Sequence, residues 1–143
     1  MKILTESTPL ALWYEAVQAA QSDCQIILKP DLESYLVFML MRHVQNKEFL
    51  REIMAIKFME GMQYPTQHRD PTLQKVGDQC LLISGFFPAY AEERKVKIRY
   101  YIELGRVCYE IISRKENDIF SLLSRQFVIL MDVLQSFRLS NGK

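Results

Sequence analysis

Glycine and proline are scarce in this chain, at five residues each among 143. A protein of many β-strands needs such turn residues at short intervals, so their scarcity argues against an all-β fold. An excess of one charge is also lacking, because 18 lysine and arginine residues face 17 aspartate and glutamate residues. That balance gives no general attraction to nucleic acid or to an anionic membrane. We therefore predict neither as a partner.

Long apolar runs and paired cysteines are missing as well. The longest apolar runs, Tyr35–Met41 and Phe127–Met131, are far shorter than the roughly 18–20 residues that a membrane helix needs. Near the start, Glu6 interrupts the apolar residues before a secretory signal can develop. The cysteines are odd in number, widely spaced and without a CxxC pair: Cys24, Cys80 and Cys108. They are typical of free thiols in a reducing compartment, so we predict a soluble, cytoplasmic protein.

The motifs of familiar enzyme and metal sites are also absent. The glycines are too dispersed for a phosphate-binding loop, and Ser84 lacks the upstream glycine of a nucleophile elbow because position 82 is leucine. Only two histidines occur, His43 and His68, and neither belongs to an HExxH or ExxH motif. We predict no catalytic residue, no cofactor and no metal, and a non-enzymatic role is favoured over catalysis.

Apolar spacing predicts a single all-α domain, residues 1–143, with about six helices. The first begins at Thr8–Pro9, where threonine can cap the free amides and proline fits the first helical position. The second begins at Pro30 and runs to about His43; it is apolar on every side over residues 35–41, which predicts a central place in the bundle. The third spans roughly residues 47–62.

The sequence of the second half of the chain predicts three more helices. Asp70–Pro71 repeats the capped start, and this fourth helix runs to about Gly85 or Phe86, with Pro88 ending it. Residues 96–102 first alternate like a strand, but helical spacing then continues over about 16 residues, so a helix is favoured and a strand stays possible. The sixth helix, residues 118–138, is apolar on more than one face.

Two acidic residues, Asp78 and Asp132, fall within otherwise apolar helical segments. A carboxylate there would lose hydration unless it faces solvent or meets a cation. We hypothesise that one or both are buried and paired, with Arg99, Arg106 or Arg125 as possible partners. An edge position or a structural ion pair is favoured over a catalytic acid.

Tyrosine and glycine share one face of the fifth predicted helix. Tyr101, Gly105 and Tyr109 are four residues apart, so the glycine should mark the close approach of another helix. Gly77 and Ser84 could provide the facing surface. Two interpretations stay open, tight core packing, which is favoured, and a ligand pocket. The candidate pocket residues are Asp78, Tyr101, Gly105, Arg106 and Tyr109.

A basic stretch leads into this helix, with Arg94, Lys95, Lys97 and Arg99 close to several tyrosines. Basic and aromatic residues together can indicate a nucleic-acid surface. Two glutamates directly precede the stretch, however, and the cations project in different directions on a helix. A solvated helix start is the favoured interpretation.

Methionine is enriched in the second and third predicted helices, which carry five of the seven in the chain. Flexible thioethers fill gaps in a core, and they also adapt to varied apolar partners. Together with the extra apolar faces of helices two and six, this enrichment predicts an oligomer or a bound apolar partner. The candidate partner surface comprises Met39, Met41, Met54, Met59 and Met131.

One segment resembles parts of small bacterial helical proteins of uncharacterised function. It consists of Gly77–Pro88 followed by a second group, Tyr100, Tyr101, Leu104, Gly105 and Tyr109. The resemblance implies a bacterial, cytosolic origin and carries no assigned chemistry. The favoured function is therefore a non-enzymatic protein-interaction or regulatory domain that forms a homodimer. The alternative is a helical pocket for a small apolar or aromatic ligand.

Overall fold

The computed structural model describes the backbone of residues 8–43 and 45–141, and the side chains of all of these except residues 140 and 141. This part of the chain contains eight α-helices, one 3-10 helix and no strand. In chain order they are α1 (Pro9–Cys24), α2 (Pro30–His43), the 3-10 helix (Lys47–Arg51), α3 (Met54–Met62), α4 (Thr66–Gly85), α5 (Pro88–Glu93), α6 (Ile98–Ile112), α7 (Ile119–Arg125) and α8 (Phe127–Asn141). The all-α class is confirmed, and the helix count is eight rather than about six.

The starts of α1 and α2 follow the local signals in the sequence. The Thr8 side chain accepts a hydrogen bond from the backbone amide of Ala11 at 3.1 Å, and Pro9 occupies the first helical position. Pro30 likewise occupies the first helical position of α2. The link between the two helices is held by Gln21, whose Oε1 accepts from the backbone amide of Leu28 at 2.8 Å. These two predicted helices have the expected bounds.

The third and fourth predicted helices differ from the structure at their N-terminal ends. The 3-10 helix and α3 are separated by an extended segment at Glu52–Ile53, which lets Phe49 and Met54 both enter the core. Helix α4 begins at Thr66, so Pro71 lies inside it. The proline removes the hydrogen bond to the carbonyl of Gln67, which is exposed and can bond water instead.

The remaining differences lie between α4 and the C-terminal helix. Pro88 does end α4, yet it also starts the short helix α5. The ambiguous segment is helical from Ile98, so the strand alternative at residues 96–100 was wrong. The single last helix is two helices, α7 and α8, which meet at Gln126 at an angle of 75°. Because the two helices point in different directions, each buries a different side, and the apolar residues fall on more than one face when residues 118–138 are drawn as one helix.

Helix α4 forms the centre of the bundle. All ten residues from Val76 to Gly85 are buried, and α3, α6 and α8 pack around them. Helix α1 closes one side by packing on α8, where the rings of Trp13 and Phe137 stack with centroids 5.8 Å apart. Cys80 and Cys108 lie inside this core, and Cys24 is half-buried. The core therefore surrounds a helix that carries Asp78, Gln79 and Ser84.

Within the described residues, no single helix has the length and apolar character needed to cross a membrane. Helices α7 and α8 reach that length and composition only when they are taken together across the 75° bend.

Candidate functional site

Asp78 is the buried acidic residue around which the polar groups of the core are arranged. It lies on α4 with an exposed fraction of 2%, between Gly77 and Gln79. Helix α2 brings two polar residues toward it, Tyr35 and Arg42, which are seven positions apart and share one face. Helix α6 approaches from another side because Gly77 has no side chain: a Cβ atom there would lie 2.8 Å from Cε1 of Tyr109. Three helices thus meet at one carboxylate.

The hydrogen bonds of this group, which we call the Asp78 network, are short and converge on the carboxylate. Tyr109 donates to Oδ1 of Asp78 at 2.6 Å, and Tyr35 donates to the same oxygen at 2.7 Å. A guanidinium nitrogen of Arg42 lies 3.3 Å from Oδ2. The amide of Gln74, one turn earlier on α4, donates to the hydroxyl of Tyr35 at 3.0 Å. Both carboxylate oxygens therefore have donors.

Burial dominates the electrostatics of the network. It raises the pKa of Asp78 from 3.8 to about 6, although the hydrogen bonds from Tyr109 and Tyr35 and the charge of Arg42 act in the opposite direction. Burial and the nearby Asp78 carboxylate also raise the pKa values of Tyr35 and Tyr109 well above the ordinary value of 10.0. At neutral pH both phenols are protonated donors.

The arrangement can stabilise a fold but offers little to a substrate. The nearest depression, of about 430 Å³, is lined by Tyr35, Phe38 and Arg42 among others, and Asp78 is not part of its lining. Its carboxylate already accepts two hydrogen bonds at Oδ1 and contacts Arg42 at Oδ2. No nucleophile with an adjacent base lies beside it in the described part of the chain. The network therefore favours the interpretation of Asp78 as a structural ion-pair residue.

The hypothesis that Asp78 or Asp132 is buried and paired is confirmed by Asp78, whereas Asp132 is exposed. The partner is Arg42 rather than one of the three predicted arginines. Of those, Arg99 and Arg106 are exposed, and Arg125 donates to Oδ1 of Asn117 at 2.6 Å.

The five candidate pocket residues do not surround one cavity. Asp78 and Tyr109 are hydrogen-bonded within the core, and Arg106 points to solvent. The close approach expected at Gly105 is present: a Cβ atom there would lie 2.6 Å from Cε2 of Phe127 and 3.1 Å from Cβ of Cys80. Packing therefore fills the space beside Gly105. Tyr101 lines a different depression, on the outer side of α6.

The candidate partner methionines also fall into separate environments. Met39 and Met54 are core residues with exposed fractions of 0% and 2%, and Met41 and Met131 are half-buried. Met59 differs, because 62% of it is exposed. It lies on the outer face of α3, so the expectation of a methionine-bearing partner surface remains a prediction for this residue.

Sequence reasoning missed Tyr35 and Arg42. The signal was available, because they are polar-ended residues seven apart at the two ends of a segment whose other residues, 36–41, are all apolar. The expectation that α2 is the central helix was wrong, because α4 holds that place and Phe38 of α2 is 45% exposed. Polar groups on α2 therefore have a path to solvent as well as to the core, and Arg42 uses both: it is half-exposed and reaches Asp78.

A second depression, of about 470 Å³, lies beside the Asp78 network and is lined by charges of both signs. Burial and the charges of Arg42, Lys75 and Lys57 lower the pKa of His43 to about 4. The imidazole is therefore neutral at pH 7. Among the residues that the structure describes, no three histidine, cysteine or acidic side chains converge in a geometry that could hold a metal ion.

Comparison with known proteins identified no relatives. No protein-family model, no curated protein and no solved structure matches this chain.

Proposed function

We propose that this chain is a non-enzymatic interaction domain that forms a homodimer through the outer face of α3. The observation that carries the proposal is a group of four exposed apolar residues on and just after that helix, which we call the α3 surface: Ile56, Met59, Met62 and Tyr64. Between 42% and 62% of each of them is exposed. Contiguous exposed apolar residues are a common mark of protein interfaces.

The structure of α3 supports an interface rather than a loosely packed core helix. Its inner face is already satisfied, because Met54 and Gly61 are buried and Gly61 lies against Thr72 and Leu73 of α4. The α3 surface therefore has no partner within the described chain. Three of its members, together with Glu60 and Gln63, line an open depression of about 520 Å³ that could receive a side chain.

A second copy of this chain is the partner that we propose. Two-fold symmetric dimers bring the same surface of each copy into contact, so an apolar stripe on a helix can pair with itself. The near-neutral charge of the chain, with 18 basic and 17 acidic residues, opposes such an approach very little. Met59 would lie close to the centre of this contact. A bacterial origin, a cytoplasmic location and the lack of nucleic-acid and membrane partners stay predictions.

Light scattering after size-exclusion chromatography tests the dimer. We expect the wild-type protein at micromolar concentration to have twice the chain mass of 16.9 kDa. Met59→Glu should shift it to a monomer, because dimerisation would bury two carboxylates without partners. The variant should remain folded, with the helix circular dichroism of the wild type, because 62% of Met59 is exposed.

Ile27→Glu is the matched control for this experiment. Ile27 is an apolar residue with an exposed fraction of 96% and lies between α1 and α2, away from the α3 surface. This variant should keep the wild-type mass. A wild-type monomer, or a dimer that Met59→Glu leaves intact, would contradict the proposal.

The alternative function, a pocket for a small apolar or aromatic ligand, loses its predicted location in the core. Of the residues expected to line it, Gly105 is packed against Phe127, and Asp78 and Tyr109 are bonded within the Asp78 network. Arg106 is exposed to solvent, and Tyr101 lines a separate depression.

A further inference from the structure

A further depression lies between the start of α3 and the turn that joins α5 to α6. Its volume is about 590 Å³, within the range of small-molecule sites. Its apolar lining includes Ile53, Met54 and Val96. Tyr100 and Tyr101, from the first turns of α6, complete the wall. An apolar chain placed here would contact side chains from three different elements.

Three cations line the same depression, and none of them has a carboxylate partner among the described residues: Arg94, Lys95 and Lys97. The acidic residue that also lines it, Glu52, is engaged by Lys57 at 2.8 Å. Arg94 is held in place, because its guanidinium stacks over the ring of Tyr90 at 5.0 Å and donates to the carbonyl of Leu50 at 3.3 Å. The depression thus combines an apolar wall with three cations that form no direct ion pair among the described residues.

Tyr101 supplies a hydrogen-bond donor that the fold does not use. Its hydroxyl has no hydrogen-bond partner among the described residues and is open to the depression, because Nε of Arg138 is the one fully buried side-chain nitrogen or oxygen among those residues that lacks a partner. Burial raises the pKa of this phenol above 10.0, so it remains a donor at neutral pH. A ligand oxygen in the depression would give this hydroxyl an acceptor.

The backbone around the cations points to the same chemistry. Helix α6 begins at Ile98 with no side chain capping its first amides, and a helix N-terminus favours an anion. Lys95 has a left-handed conformation, with φ at 58°, where glycine would be unstrained. Its amide and that of Val96 bond to the carbonyls of Glu92 and Ala91, which closes α5. A lysine here costs conformational strain and adds a cation to the depression.

We infer that this depression binds a single-chain fatty acid, whose apolar tail lies against Ile53, Met54 and Val96 while its carboxylate meets Tyr101 and the three cations. The apolar wall favours an apolar ligand, and the three exposed cations favour an anionic one. A free fatty acid fits better than a bilayer surface, because the donor of Tyr101 lies in a recess. The site is separate from the α3 surface, so it does not depend on dimer formation.

Calorimetric titration with decanoate, below its micelle-forming concentration, tests the site, with decanol as the uncharged control. Decanoate should bind at least about tenfold more tightly than decanol, because hydrogen bonds to a charged group are the stronger ones. Tyr101→Phe should weaken decanoate binding about tenfold and leave decanol unchanged. Since the hydroxyl has no partner in the protein, this variant should keep the wild-type thermal midpoint.

Lys95→Gly separates ligand binding from folding. Glycine relieves the left-handed strain, so the thermal midpoint should rise or stay the same, whereas decanoate binding should weaken by several fold. Lys29→Gln, an exposed lysine outside the depression, is the control and should change neither quantity. Met59→Glu should bind decanoate like the wild type even if it is monomeric.

Three results would overturn the inference. The first is an absence of decanoate binding, including the case in which the protein binds only anionic phospholipid vesicles. The second is equal affinity for decanol, and the third is decanoate binding that neither Tyr101→Phe nor Lys95→Gly weakens.

Discussion

At the scale of single residues, Asp78 joins three helices through groups that can act only as donors toward it. Each tyrosine hydroxyl donates one hydrogen bond, and those of Tyr35 and Tyr109 both go to Oδ1. Arg42 approaches the other oxygen from a half-exposed position. The carboxylate is therefore well bonded, yet burial still raises its pKa to about 6. Stabilisation by these bonds and the cost of burying a charge oppose each other at this residue.

This opposition predicts a pH dependence of stability. Because the pKa of Asp78 is raised in the folded state, folding favours the protonated form, and the stability that this adds is lost as pH rises from about 4 to above 6. A rise from 3.8 to about 6 corresponds to roughly 3 kcal/mol at about 1.4 kcal/mol per pH unit. Urea unfolding should show the wild type losing that amount relative to Asp78→Asn between about pH 4 and pH 7.

Asp132→Asn is the control for this measurement, because it makes the same chemical change at an exposed carboxylate. Its free energy of unfolding should follow that of the wild type across the whole pH range. Parallel pH profiles for Asp78→Asn and the wild type would show that Asp78 has the same pKa in the folded and unfolded states.

The sequence predicted part of this network. An acidic residue inside an apolar helix must be exposed or paired, and that argument correctly singled out Asp78. It could not distinguish Asp78 from Asp132, since both have similar apolar neighbours in the sequence. Nor could it identify Arg42, which lies 36 positions away. Which helix faces which is decided by packing across the whole core, and local spacing carries no information about it.

At the scale of elements, the contact of α4 with α6 and α8 depends on positions that have no side chain. The ring of Tyr109 covers Gly77, and Phe127 and Cys80 lie against Gly105. The helices can approach this closely only because Cβ atoms are absent at the crossings. Gly85 continues the pattern, because its missing Cβ would lie 2.8 Å from Cβ of Leu134.

Gly105→Ala should therefore destabilise the protein, although alanine is the better helix former. Alanine gains up to about 1 kcal/mol of helix propensity, but the added methyl would overlap the ring of Phe127. Overpacking of this kind costs about 1–3 kcal/mol, and we expect a net loss of about 1–2 kcal/mol in chemical denaturation. Glu103→Ala, at an exposed position on the same helix, should stay within about 0.5 kcal/mol of the wild type. A more stable Gly105→Ala protein would contradict the close approach.

Element boundaries were predictable where a local signal sets them. Pro9 and Pro30 open helices as predicted, and Asp118 caps α7 by accepting from the amide of Ser121 at 2.8 Å. Two breaks between helices that no local signal marks were not predicted from the sequence. No glycine or proline marks the extended segment before α3 or the bend at Gln126. At both places the chain changes direction because residues on either side enter the core, and this is a property of the assembled bundle.

At the scale of the whole molecule, the helices nearest the two ends of the described chain pack against each other. Trp13 of α1 stacks on Phe137 of α8, which also contacts Phe86 at the end of α4 with ring centroids 5.5 Å apart. The single tryptophan therefore reports a contact between elements that are distant in sequence. If residues 1–143 fold as one domain, as the sequence predicts, this contact should be lost together with the helices.

Urea unfolding monitored by Trp13 emission and by helix circular dichroism should give coincident transitions. Phe137→Ala should lower the stability by about 3 kcal/mol, because it removes a buried ring, and should shift both curves together. Leu139→Ala is the control, since Leu139 has an exposed fraction of 70% and should have little effect. A tryptophan transition that clearly precedes the loss of helix would show that α1 and α8 unfold separately.

The burial of two of the three cysteines has a consequence for chemical reactivity. A thiol reacts as its thiolate, and burial raises the pKa of Cys108 to about 12 and that of Cys80 well above its ordinary value. Cys24, near the end of α1, is half-buried and is the most accessible thiol described. Toward oxidants and alkylating reagents the folded chain therefore behaves as a protein with a single thiol, and the other two react only when the bundle opens.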